Sequence, residues 1–520
     1  MRYQNPVIPG FHPDPSITKR GEDFYLVTSS FEYFPGVPVF HSRNLVNWEQ
    51  IGYCLTREEQ LDLRGIEASK GIYAPTIRYH DGLFYMITTV TDGQGGRKNI
   101  IVHTEDPAKE WSDPAIVDWK GIDPSLFFDD DGKCYFTGTG ALDGKRIMAC
   151  FEIDPMTGER LGRVYDIGLG TGGPAPEAPH IFKKDGCYYY MLAEGGTEYG
   201  HSETIHRARH VFGPYEPCPG NPVLSHVKRK GHEIQGVGHA DMIEDKNGRW
   251  WAVFLGFRNY GKAPLHNIGR ETFLMPVSWK ADGWPVIGGC GYAELEVDAD
   301  LPEACRSQCA DFHADFKKEE LDVRFFHTRN PEMRDYRPDP ENGMLLLTGH
   351  EVTLETNALS PTMISVVQPA FSTEFRASFD LGFTHAEKAG ITAYLSNDYH
   401  YDLYLSERDG RTFIGFSKSV HDIKAEFVRK PHQDLQAQGA GDRSVTLIIR
   451  TDRKGYSFFV QTGAREEYIG FGSNAGLSTE QTMERSFTGT VFSAFCINGT
   501  AALTSFDVEV LPDSTLQDVQ

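Results

Sequence analysis

No apolar run in this sequence approaches the length of a membrane-spanning helix. The first residues, MRYQNPVIPGFHPDPSI, hold no apolar stretch and no cleavage site of the secretory type. The expectation is a cytoplasmic protein, although a leader removed beforehand would leave the same sequence. Cysteine is sparse: nine residues, scattered, with only Cys305 and Cys309 close together. No CxxC pair or Cys/His group of zinc spacing occurs, so free thiols in a reducing compartment are expected. Basic residues are also short. Lys and Arg number 51 against 73 Asp and Glu, a formal net charge of −22. Such a surface repels nucleic acid and anionic membranes. It suits a soluble enzyme with a neutral or cationic substrate.

What is plentiful is the vocabulary of short strands and tight turns, with 53 Gly, 29 Pro and many aromatics. At 520 residues the chain is too long for one ordinary core, so at least two domains are expected. A short motif organises the first 300 residues or so. It reads DPSI at Asp14, APTI at Ala74, DPSL at Asp123, APHI at Ala178 and HADM at His239, at intervals of 60, 49, 55 and 61 residues. Each copy is followed by a Gly-containing turn and an aromatic strand: GEDFYLVTSS, DGLFYMITT, DGKCYFTGTG, DGCYYYMLA and NGRWWAVFLG. Repeats of this size and content are propeller blades, and five of them span residues 1–300. A β-solenoid has much shorter rungs.

In a propeller the innermost strands surround a central axis, so the motif heads meet at one mouth of the channel. Those heads carry Asp14, Tyr73-Ala74, Asp123, Glu177-Ala178 and His239. A single Asp before Pro is an ordinary turn former. Three carboxylates and a histidine at equivalent places favour a site. The pattern is lost from about Asp311. Phe375, Ala377, Phe379, Leu381 and Phe383 alternate along one segment, Val445, Leu447 and Ile449 along another, and Phe506, Val508 and Val510 along a third. Period-two patterning of this kind predicts half-buried antiparallel sheets, hence a jelly-roll-like β-sandwich over residues 311–520, joined through the aperiodic stretch 296–315. The fold class expected is all-β.

Several long stretches, in order from residue 5 to residue 279, resemble glycoside hydrolase family 43, the β-xylosidase and α-L-arabinofuranosidase group. They include NPVIPGFHPDPSI, SKGIYAPTIRYHDGLFYMITT, GIDPSLFFDDDGKCYFTGTG, PEAPHIFKKDGCYYYMLAEGGTEYGH, GVGHADMIED and GRETFLMPVSW. The C-terminal part resembles the sandwich attached to that branch. The resemblance implies that Asp14 is the general base, Glu177 the general acid and Asp123 the carboxylate that orients and tunes the acid. It implies that Arg270 bonds sugar hydroxyls, that Phe31 and Thr197 line the sugar pocket, and that Phe487 reaches the pocket rim from the sandwich. His239 matches a histidine that in many members helps hold a calcium ion or its water shell, so calcium in the central channel is expected, with no organic cofactor. Many relatives have Trp where this chain has Tyr73, which leaves the preference between xylose and arabinose open.

The chemistry wants these residue types. Cleaving a glycosidic bond takes one acid for the leaving oxygen and one carboxylate for water on the opposite face. The function expected is an exo-acting, inverting release of terminal β-D-xylose or α-L-arabinofuranose from plant cell-wall oligosaccharides. An endo-arabinanase on the same propeller and a non-catalytic carbohydrate-binding propeller are the alternatives. Without the family, Arg270 reads as a surface ion pair with Glu271. Asp129–Gly132 (DDDG) begins like a calcium loop but lacks the closing Glu, and reads as a hairpin turn. His12 reads equally as structural or as pocket wall, and His180 and His201 as polar loop residues. Oligomeric state is left open, a homo-oligomer included.

Overall fold

The protein is described by a computed structural model that covers residues 1–91, 96–261, 264–408, 411–431 and 444–512. Five antiparallel sheets follow one another along the chain, each beginning on a repeat motif. Their innermost strands are Ser16–Arg20, Ile72–His80, Ser125–Phe128, Glu177–Lys184 and Ile234–Glu244. They pair in turn with Asp23–Val27, Leu83–Thr91, Cys134–Leu142, Cys187–Glu194 and Trp250–Arg258, the aromatic strands of the repeat. The fourth motif residue (Ile17, Ile77, Leu126, Ile181, Met242) is buried in every blade. Apolar clusters fill the space between successive blades, and one of them joins blades four, five and one. The hairpins use the chemistry the sequence offers. In blades two and four, His80 opposes Leu83 and Lys184 opposes Cys187. Asp81-Gly82 and Asp185-Gly186 therefore form two-residue turns with positive φ at both positions. Asp129–Gly132 is the blade-three turn, closed by Gly132 N–H donating to Asp129 O.

The ring closes through the first residues. Arg2–Gln4 pairs with Glu296–Asp298, and Ile8 bridges Thr272 in blade five. Asn5 Nδ2 and Tyr3 OH both donate to the Leu274 carbonyl.

The second half is a β-sandwich built around one long strand, Val491–Val510. It pairs with Thr362–Val367 and His385–Ser396 over its first part and with Met344–Gly349 and Thr373–Asp380 over its second. Phe375, Ala377, Phe379, Val445, Leu447, Ile449, Phe506 and Val508 form its core. Leu381 still packs against that core, but the alternation read on through Phe383 and Val510 overruns. The strand ends at Asp380, whose carboxylate accepts Gly382 N–H at 2.6 Å and whose carbonyl accepts the Thr384 hydroxyl. That turn leaves Phe383 54% exposed, and Val510 ends the long strand at the surface. Residues 513–520 of the expected sandwich span lie outside the described residues. Among the described residues no helix is long and apolar enough to cross a membrane.

The sandwich docks on blade one. His327–Thr328 pairs with Tyr33–Phe34, and Phe11, Phe31 and Tyr33 share one apolar cluster with Phe326, Met363, Tyr394 and Phe495.

Candidate active site

Four motif heads, Asp14, Asp123, Ala178 and His239, have φ of 53–57°, the left-handed region that Asp and His tolerate better than most residues. Equivalent backbone twists set equivalent side chains at the channel mouth. In blade four the twisted residue is Ala178, so Glu177 stands one position earlier than the repeat implies. A β-bulge between Glu177 and His180 makes room for this. Asp123 Oδ2 accepts the Ala178 N–H at 3.2 Å and so ties blade three to the bulge that carries Glu177.

Asp14 is buried. Its Oδ2 accepts the Ser29 hydroxyl at 2.5 Å and its Oδ1 accepts Arg270 Nη1 at 2.8 Å, with His239 Nδ1 at 3.5 Å. Burial alone would raise this carboxyl. Arg270 and the Ser29 hydroxyl, joined by His239 where that imidazole is protonated, outweigh it and hold Asp14 below its ordinary value. Glu177 goes the other way. Burial, with the Asp14 charge added, pushes it up to about 7. Burial also raises Asp123, and the Glu177 and Asp14 charges add to it. The anion that most raises Glu177 is thus Asp14 rather than Asp123. One carboxylate is held charged and one is kept as an acid near neutrality, the division that acid–base cleavage needs.

Arg270 is no surface residue. Besides Asp14 it donates to Thr197 Oγ1 at 2.9 Å and to the Phe487 carbonyl at 3.2 Å. Its guanidinium lies 5.6 Å from the Phe31 ring centre and 5.7 Å from that of Phe487. Glu271 instead takes Arg258 in a two-point ion pair. The sandwich comes this close because two glycines meet. A Cβ on Gly269 would lie 2.8 Å from Gly489 Cα, and one on Gly489 would lie 1.9 Å from Ile268 O. Phe31, itself left-handed at φ 48°, stacks on Phe487 at 5.8 Å and meets Tyr73 at 5.7 Å. Phe31, Tyr73 and Phe487 form an aromatic wall over a charged floor.

His201, read as a polar loop residue, lies at the site. Its Nδ1 donates to the Gly236 carbonyl at 3.0 Å, so Nε2 carries the lone pair and faces Glu177 Oε1 at 4.0 Å. Burial pulls this imidazole down to about 4, so it is neutral in the working range. Ser29 was also missed. Both lie outside the motif heads, where the repeat gives no signal. His12 packs edge-on to Phe40 at 5.0 Å and is held neutral by burial.

The calcium expected beside His239 does not fit the channel. Beneath the heads the next carboxylate is Asp241, and Arg78 Nη1 already binds its Oδ2 at 2.7 Å. Asp14 is likewise matched by Arg270. Burial pulls His239 down to about 4, which leaves it a neutral neighbour of Asp14. Among the described residues no three His, Cys, Asp or Glu side chains converge on a metal position.

The segment that carries Phe487 is fastened to the propeller through Glu480. Its carboxylate accepts Tyr199 OH at 2.5 Å and the His266 N–H at 2.9 Å, and meets His266 Nδ1 at 2.7 Å. Glu480→Ala strands these partly buried donors and is expected to destabilise the protein by about 1–3 kcal/mol. It should also lower kcat/KM, because Phe487 loses its seat beside Arg270. Denaturant unfolding and kinetics on one preparation check this. Unchanged values in both would refute the role of the fastening.

An apolar cleft of about 700 Å³ lies between the N-terminal segment, blade one and the sandwich, lined by Phe40, Trp48, Tyr53 and Phe326 and bordered by Ser29. It contains none of the three carboxylates.

Comparison with known proteins agrees with this geometry. Residues 3–285 match the model of glycosyl hydrolases family 43, and residues 313–510 match the β-xylosidase C-terminal concanavalin A-like domain. The chain is 40% identical over 483 residues to a non-reducing end α-L-arabinofuranosidase of Bacteroides ovatus, covering 92% of this chain and 88% of that protein. It is 42% identical to a xylosidase/arabinosidase of Butyrivibrio fibrisolvens, covering 78% and 80%. The solved structure "Bacteroides ovatus Xyloglucan PUL GH43B" superposes with a TM-score of 0.90 at 37% identity, covering 98% and 100%. A xylan β-1,4-xylosidase of Bacillus halodurans gives 0.89 at 30%, covering 97% and 99%. With its propeller and its sandwich both matched and its three carboxylates gathered at the propeller mouth, the chain belongs to glycoside hydrolase family 43.

Proposed function

We propose that this protein is an exo-acting, inverting pentosidase that removes terminal β-D-xylose or α-L-arabinofuranose from plant cell-wall oligosaccharides. The observation that carries the reading is the pair of opposed protonation states at the propeller mouth. Asp14, held as the anion by Arg270, takes a proton from the attacking water. Glu177, kept protonated, gives one to the leaving oxygen. Asp123 fixes the bulge that presents Glu177. Arg270 and Thr197 offer polar atoms to the sugar hydroxyls, and Phe31, Tyr73 and Phe487 pack on its apolar face. Water, one acid and one base suffice, so the reaction calls for no organic cofactor.

The exo mode rests on Phe487. An endo-arabinanase needs an open cleft, whereas here the sandwich brings an aromatic ring and a carbonyl to the Arg270 side of the site. A binding-only propeller would have no use for carboxyls tuned in opposite directions. Family membership and the identities to xylosidase and arabinofuranosidase relatives support the same substrate class.

Rates on chromogenic β-D-xylopyranoside and α-L-arabinofuranoside, with proton NMR of the first product, test the reading. Free pentose of the inverted anomer is expected. Internal fragments of arabinan or xylan without free pentose, or the retained anomer, would overturn it.

A further inference from the structure

The period-two geometry of the five innermost strands places a second ring beneath the motif heads. Two residues on from each head stand Ser16, Thr76, Ser125, His180 and Asp241, all buried and all polar. One side chain reaches into this ring from the next layer down. Arg78 lies two residues past Thr76 in blade two, and it meets every other blade. Its Nη1 donates to Ser16 Oγ at 3.1 Å in blade one and to Asp241 Oδ2 at 2.7 Å in blade five. Its Nε donates to the Leu126 carbonyl at 3.2 Å in blade three, and its Nη2 to His180 Nδ1 at 3.2 Å in blade four. Asp241 is satisfied at the same time by the Ser16 hydroxyl and the Ile17 N–H. His180 Nδ1 also meets Ser125 Oγ at 3.0 Å.

We propose that Arg78 is a built-in axial cation: its guanidinium takes the place in the channel that a bound divalent ion would need, and it fixes the polar ring on which the catalytic heads rest. The charge count supports this. The one carboxylate of the ring, Asp241, is paired with Arg78; at the mouth above it Asp14 is paired with Arg270, while burial raises Asp123 and Glu177 towards their neutral forms. A divalent ion added there would find no uncompensated anion and would face two guanidinium groups. The geometry supports it too. A planar fork of five N–H donors matches acceptors arriving from several directions, as a metal's open coordination shell would. Arg78 is a positioning residue. It touches neither Asp14 nor Glu177 and acts through the strands that carry them.

Two sets of measurements test the proposal, and one of them needs no activity. Calorimetric titration of the wild-type protein with calcium after chelator treatment should give no site-specific heat. Its thermal midpoint and kcat/KM should be the same in chelator and in calcium. Stoichiometric calcium binding, or activity lost to chelator and restored by calcium, would overturn the proposal. Arg78→Ala should lower the thermal midpoint and reduce kcat/KM by about 10- to 100-fold, the scale of a small misplacement of catalytic groups. Guanidinium ion should restore part of that activity, entering by the opposite mouth of the channel, where Arg78 and Asp241 line a cavity of about 350 Å³. Methylammonium, a cation without the fork, should not. Wild-type values for Arg78→Ala would overturn the assignment. Should that variant not fold, Arg78→Lys carries the kinetic test and the wild-type titration decides the rest. Loss of the pentosidase reading itself would appear separately, as a wild-type protein without turnover on either pentoside.

Discussion

Glu177→Gln is expected to lower kcat by about 10²–10⁴-fold on oligosaccharides, the usual worth of a positioned general acid. The loss should be far smaller on aryl glycosides whose leaving group departs without a proton. Gln fills the same space and cannot donate a proton of comparable acidity, so the contrast between the two substrates isolates proton donation from packing. A pH signature goes with it. In the proposed role Glu177 works protonated, and burial has pushed it up to about 7. In the wild type, activity should therefore fall as pH rises through that region. In Glu177→Gln this alkaline limb should disappear. Equal losses on both substrate types, or an unchanged alkaline limb, would remove Glu177 from the role of acid.

The heads of the repeat were legible in the sequence because a five-fold motif leaves equivalent residues at equal places. Asp14, Asp123 and His239 stand where that reading put them, at one mouth of the channel. Glu177 was legible only as one residue of a pair with Ala178, since a bulge has no signature in a single sequence. The ring of Ser16, Thr76, Ser125, His180 and Asp241 follows from the same motif by counting two residues on. Its members differ in type from blade to blade, however, so nothing marks them as one layer. Arg78 is harder still. It belongs to an alternating strand where a solvent-facing arginine would look the same.

The contribution of the sandwich could not be read from local pattern at all. The Phe487 carbonyl reaches Arg270 across 217 residues of sequence, and a backbone atom carries no residue type to search for. The misreadings of the second half and of Arg270 have local causes. Alternation continues past Asp380 in the sequence, but a carboxylate that caps its own turn ends the strand. Glu271 follows Arg270 directly, yet Glu271 opens a blade-five strand and takes Arg258, whereas Arg270 ends the preceding loop and takes Asp14.

That last separation makes Arg270 the residue on which both ends of the pH range depend. In Arg270→Met, Asp14 loses the charge that chiefly opposes its burial. Its carboxyl should rise from below its ordinary value. As the proposed base, Asp14 works only as the anion, so the acid limb of kcat/KM should move to higher pH. Arg270 also draws Glu177 downwards, so the acid should rise as well and carry the alkaline limb with it. The expected result is displacement of the whole profile to higher pH rather than simple narrowing. Stability should suffer too. Breaking a buried ion pair from one side costs about 3–5 kcal/mol, and protonation of Asp14 would relieve part of that as pH falls. Arg270→Lys should keep Asp14 charged while losing the two-sided grip on Thr197 and Phe487. It should therefore hold the limbs near their wild-type positions at a reduced kcat/KM. Profiles of all three proteins, measured on one substrate, separate these effects. An unmoved acid limb in Arg270→Met would mean that Asp14 stays ionised without the arginine's charge, and would leave Arg270 only its contacts with the sugar and with Phe487.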